Sequence, residues 1–157
     1  MLFRSLVLFD DGWYGLNPKY HLITDHDVLT EKLTQLQSIP MDDEAGLDLC
    51  FEALRLFRGP FMAYTDAADW LAEHRKHYDQ VYDSLMKASL ERMNALGRRQ
   101  DISVLWQSAL SYAPGNRELH MGLLTYLVEH KLMAEIVPYI CALARHDGPE
   151  TRWIHEV

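Results

Sequence analysis

His74 and His77 stand three residues apart in a stretch without proline or glycine, with Glu73 and Asp79 beside them. On a helix, residues at that spacing share a face, so this group is the first candidate for metal chemistry. A zinc centre needs three or four convergent ligands, however, and the His-Glu-x-x-His order is not present. The expected role is surface or partly packed histidine, and no metal site is expected. Cys141 has His146 five residues further on, on a different helical face, so a Cys–His nucleophile pair is not expected either. Cys50 and Cys141 both fall at apolar-periodic positions and read as buried free thiols, which suits a reducing cytosol, a disulfide between them being the alternative. The eight glycines are scattered, mostly at predicted helix ends and turns, with no Gly-x-Gly-x-x-Gly or Walker-type loop to hold a nucleotide. Arg98-Arg99, beside Gly97, complements the negative end of a helix, phosphate contact in a larger complex being the alternative. No catalytic residue and no cofactor is expected, and the chain reads as a non-enzyme.

The 157 residues are enough for one domain, or for one domain with a small appendage. Apolar residues make up 48% and charged residues 24%, which is the balance of an ordinary globular protein. A net charge of −8 argues against a nucleic-acid clamp, because such proteins displace counterions with a surplus of Lys and Arg, a local basic patch being the alternative. Apolar runs such as Leu6-Val7-Leu8-Phe9 fall far short of the roughly 20 residues that cross a membrane. Asp10-Asp11 interrupts the N-terminal segment before a cleavage site could follow, so no signal peptide is read and the expected location is cytoplasmic.

Residues 1–20 and 21–157 read as two units. Leu6–Phe9 is β-prone, Asp10-Asp11-Gly12 signals a turn, and Trp13–Leu16 returns as a second strand. A two-stranded hairpin is marginal in water, so it is expected to pack on the helices, on a partner or on further sequence. After Asn17-Pro18 the pattern is helical. Asp25 is the expected N-cap of a helix carrying Val28, Leu29, Leu33 and Leu36, ended by Pro40. A second helix opens at Asp42-Asp43-Glu44, carries Leu47, Cys50, Phe51, Leu54 and Phe57, and stops at Gly59-Pro60. From Ala67 to Leu96 runs one long helix whose apolar face begins with Trp70 as an aromatic anchor, weakens at Ser89 and Arg92, and ends at Gly97. Helices over Ile102–Tyr112, Arg117–His130 and Ala134–Arg145 follow. Ala109 and Pro114 recur 35 residues later as Ala144 and Pro149, a tetratricopeptide-like period. Pro138 is tolerable only in a first turn, so the last helix is expected to start late or bend.

Four segments, in order, resemble the bacterial transcriptional activator domain: Gly12-Trp13-Tyr14-Gly15-Leu16-Asn17 leading to Asp25; Ala53-Leu54-Arg55-Leu56-Phe57-Arg58-Gly59-Pro60; Trp70 with Arg75; and Pro149-Glu150-Thr151-Arg152. The resemblance spans about residues 6–157. It implies that the hairpin is the wing of a winged helix-turn-helix domain whose recognition helix is absent from this chain, and that residues 21–157 are the helical activator domain.

The expected fold is mainly α: about seven helices stacked in antiparallel, tetratricopeptide-like pairs, with a small N-terminal β-hairpin. The expected function is a regulatory and protein-interaction module of a bacterial transcriptional regulator. Its partner would be another protein or a second copy, with DNA only in the context of a complete regulator and no membrane. A free-standing peptide-binding scaffold is the alternative, and a helical hydrolase or metal enzyme the third reading. Trp106 and Tyr126 are candidates for a partner groove, with core packing the preferred role for each. Trp13 and Tyr14 are candidate DNA-backbone contacts, with packing against the helical body preferred. Arg58 and Arg75 are expected to pair with acidic residues between helices.

Overall fold

Two strands, β1 (Val7–Asp10) and β2 (Trp13–Leu16), form an antiparallel hairpin in which Phe9 opposes Tyr14 and Asp10 opposes Trp13. Asp11 and Gly12 join them with φ of 45° and 85°, the two positive values of a type I′ turn, which matches strand twist. This is a computed structural model, and it describes residues 7–59, 61, 62, 65 and 69–146. The hairpin is exposed on both faces. Among the described residues, the packing against the helical body expected for Trp13 and Tyr14 is not found.

Six α-helices follow among the described residues: α1 (Asp25–Ser38), α2 (Glu44–Leu54), α3 (Asp69–Leu96), α4 (Ile102–Tyr112), α5 (Arg117–Glu129) and α6 (Met133–Ala144). A 3-10 turn, Arg99–Asp101, joins α3 to α4. The N-cap of α1 is Thr24, not Asp25. The Thr24 hydroxyl accepts from the Asp27 amide, while the Asp27 carboxylate accepts from the Thr24 amide at 2.8 Å. These two bonds make a capping box; the Thr24 hydroxyl, which also donates to the Asp27 carboxylate at 2.7 Å, and then the Thr24 amide hold that carboxyl below its ordinary range. Helix α2 is capped by Asp43, whose carboxylate accepts from the Ala45 amide at 2.9 Å. It closes at Leu54, one turn short of the expected Gly59 stop, so Phe57 reaches the core from a tight turn.

Helix α3 is 28 residues long, about 42 Å at 1.5 Å per residue, and it spans both halves of the domain. In the first half it packs on α2, which packs on α1; in the second, α4, α5 and α6 pack on one another. Its buried face carries Leu71, Tyr82, Leu85, Met86, Ser89, Arg92 and Met93. Trp70 is not the anchor: it is 55% exposed and lies edge-on to His74 at 5.8 Å, while Leu71 is fully buried. Gly97, at φ 70°, ends α3 with bonds from Gly97 to the Asn94 carbonyl and from Arg98 to the Met93 carbonyl. These are the paired bonds of a Schellman stop.

Phe57, Tyr82 and Tyr112 form an aromatic cluster with centroid separations of 4.3–5.2 Å, tying the turn after α2 to α3 and α4. Its burial pushes the Tyr82 hydroxyl up to about 12, partly offset by its bond to Ser108. Pro138 sits inside α6, beyond the first turn. It and Ala134, whose carbonyl loses the amide partner, are both exposed, so water can replace the missing bond. Ala109 is buried and Ala144 exposed, so the two repeat markers do not share an environment, and Pro149 lies outside the described residues.

Candidate functional site

Among the described residues a long concave surface runs along α3, where α5 stands away from it. One hollow of about 500 Å³ is lined by Met86 and Leu90 of α3 and by Leu119, Gly122, Leu123 and Tyr126 of α5. A second, of about 450 Å³, continues along α3 past Asp79 and Tyr82 to the loop Ala113–Asn116. The two share Asp83 and Asn116, and so form one groove. Met86 and Leu123 are almost fully buried and make an apolar floor, whereas Asp79, Asp83, Glu118 and Glu129 are exposed along its length.

Local sequence explains this geometry. Asn116 caps α5 by accepting from the Leu119 amide at 3.1 Å, which fixes where that helix begins. Tyr126 donates to Asn94 at 2.8 Å and Tyr112 donates to Asp79 at 2.8 Å, so a tyrosine spans to α3 at each end. Between these struts the helices do not close.

Tyr126 lines the groove, although its ring is largely buried. Trp106 does not: it stacks on Tyr139 at 5.3 Å and donates from Nε1 to Glu135 at 3.2 Å, packed between α4 and α6. The sequence candidates for one groove are therefore separated. Trp13 and Tyr14 are 81% and 79% exposed on the hairpin. Arg75 binds carbonyls instead of an acidic side chain, donating to Phe61 at 3.0 Å, Met62 at 2.8 Å and Thr65 at 3.3 Å, and so staples the connector before α3. Arg58 is exposed, and neither arginine forms an ion pair among the described residues.

His74 packs near Trp70 and Phe61, and among the described residues no group of three or more His, Cys, Asp or Glu is arranged to hold a metal. Cys50 is a buried free thiol whose pKa burial pushes up, whereas Cys141 is exposed, contrary to expectation. A smaller apolar hollow of about 340 Å³ lies beside the N-terminus of α1, where Tyr78 Oη and His26 Nδ1 are 2.7 Å apart.

A model of the bacterial transcriptional activator domain matches residues 26–135, well over half of the chain. The chain belongs to that family. The matched span contains Arg58-Gly59-Pro60, Trp70 and Arg75 and runs through the groove, while the hairpin and the Pro149–Arg152 segment lie outside it. No match was found among curated proteins or solved structures. Membership in the activator-domain family gives a regulatory domain of transcriptional-activator type. No helix among the described residues is long and apolar enough to cross a membrane.

Sequence reasoning missed the acidic side of the groove and Gly122. Two signals were present. Asp79 and Asp83 are like charges four apart on one helix, an unfavourable spacing, and Gly122 is a glycine inside a helical pattern.

Proposed function

We propose that this activator domain is the protein-contact arm of a bacterial cytoplasmic transcriptional regulator, acting without catalysis, and that DNA sequence is read elsewhere in the regulator. The single observation carrying this is the open groove along α3: stacked helical pairs present a concave, apolar-floored surface of the kind that holds a peptide or another domain. The charge balance agrees, since an acidic chain is repelled by phosphate. The exposed hairpin fits a wing that leans on the DNA-binding part of a complete regulator, with Trp13 and Tyr14 free to meet a backbone there.

The test is to fuse the full chain to an unrelated DNA-binding domain placed upstream of a bacterial reporter promoter. Transcription is expected to change several-fold relative to the DNA-binding domain alone. An unchanged reporter at equal protein level contradicts the proposal.

A further inference from the structure

We propose that the groove between α3 and α5 receives an extended basic segment of a protein partner, with lysine or arginine side chains on the acidic rim and apolar side chains on the floor. This rests on the protein-contact reading above and adds the chemistry of what is contacted.

Charge is the first argument. The residues lining the groove include four carboxylates, Asp79, Asp83, Glu118 and Glu129, against one ammonium, Lys87, with the Arg99 guanidinium beside Tyr126 at one end. The whole chain has 23 acidic to 15 basic residues, so the groove lining is more one-sided than the chain as a whole. These carboxylates crowd one another: the Asp83 carboxyl is raised by partial burial and by Asp79 and Glu118, with Lys87 opposing. A cationic side chain laid between them relieves that repulsion, and low-dielectric walls focus the field onto it.

Gly122 is the second and independent argument. It is the sixth of thirteen residues in α5, a place where glycine costs about 1 kcal/mol relative to alanine. A side chain there would meet nothing within 4 Å, and its φ is not in the left-handed region. Among the described residues neither packing nor backbone geometry calls for glycine. It does line the groove, where the missing side chain lets a second backbone approach α5 closely.

Groove size selects an extended segment. A helix 10–12 Å wide would fill the larger hollow with one turn, roughly 500 Å³, whereas an extended chain runs through both hollows and reaches all four acids.

The experiment uses the full chain and a fluorescein-labelled short peptide of alternating lysine and leucine, read by fluorescence anisotropy at low and physiological salt. Gly122→Leu fills the floor, and Asp83→Asn with Glu118→Gln removes two rim charges. Glu31→Gln with Asp42→Asn removes the same charge from exposed positions outside the groove. Both groove variants are expected to bind at least about tenfold more weakly, and the outside pair within about twofold of the unaltered chain. Helical circular dichroism should be unchanged in all; should Gly122→Leu fail to fold, the charge pair carries the test. No binding by the unaltered chain, or equal weakening by the outside pair, overturns the proposal. The reporter fusion separates the two failures: an active fusion with no groove-dependent peptide binding removes this inference alone, whereas a silent fusion removes the protein-contact reading.

Discussion

The guanidinium of Arg92 occupies the space in which a side chain on residue 46 would begin: a Cβ built on Gly46 would collide with Arg92 Nη1 and Cζ and press on Ile39 Cγ2. Arg92 is 3% exposed and donates to the carbonyls of Pro40, Ile39 and Leu36, at the C-terminal end of α1. A buried cation thus takes the place of a conventional helix cap, where the negative end of the helix dipole favours it. The glycine at the start of α2 makes that approach possible.

Gly46→Ala is therefore expected to destabilise the domain by about 2 kcal/mol or more, because the guanidinium must leave its carbonyls to make room. Arg92→Met should cost about 3 kcal/mol by leaving those carbonyls without their cation. In the double variant the collision is already gone, so chemical denaturation should show a loss well below the sum. Simple additivity would mean that the two residues do not share this space.

His120 gives the domain an acid-sensitive point. Its Nδ1 lies 2.6 Å from the Tyr139 hydroxyl and its Nε2 is 3.1 Å from the Ala113 carbonyl, so the neutral ring accepts from Tyr139 and donates to Ala113. Burial lowers its pKa from 6.5, with His146 acting in the same direction and the backbone bonds near Ala113 and Pro114 opposing. A base with a lowered folded pKa binds its proton more readily in the unfolded chain. Its share of stability is thus present above pH 6.5 and lost as pH falls towards the folded value. Urea midpoints should fall on acidification from neutral pH, with a slope from this group of at most about 1.4 kcal/mol per pH unit. His120→Gln should flatten that slope.

Lys131 sits at φ 57°, in the stop after α5, where Lys131 and Leu132 donate to the Val128 and Leu127 carbonyls. A lysine in this left-handed position is strained, and glycine is not. Lys131→Gly is expected to raise stability by about 0.5–1 kcal/mol, seen as a higher denaturation midpoint.

Trp13→Ala and Tyr14→Ala should each change stability by less than about 0.5 kcal/mol, because both side chains are largely in water. Gel shift with the isolated chain at physiological salt should show no more duplex binding than an acidic control protein. Tight, sequence-specific binding would reassign DNA reading to this chain.

Elements whose signals are local were legible in the sequence. Asp11-Gly12 marked the hairpin turn, Gly97 the end of α3, and the spacing of Leu47, Cys50, Phe51 and Leu54 the buried face of α2. What failed depends on partners distant in sequence. Ser89 and Arg92 read as a break in an apolar face, yet both are buried: Ser89 donates to the Leu85 carbonyl, and Arg92 finds carbonyls more than fifty residues away. Trp70 and Leu71 are adjacent, and periodicity could not say which one points inward. The acidic groove is non-local as well, since Glu118 is brought to Asp83 only by the turn between α4 and α5.

The central claim is that the groove between α3 and α5 is the working surface of this domain. Amide chemical-shift mapping of the isotope-labelled chain, titrated with the lysine–leucine peptide, tests it most directly. The largest, saturable shifts are expected at Asp83, Asn116 and Gly122, with the hairpin Val7–Leu16 unmoved. Largest shifts on the hairpin, or no saturable shift in the groove, would contradict the account.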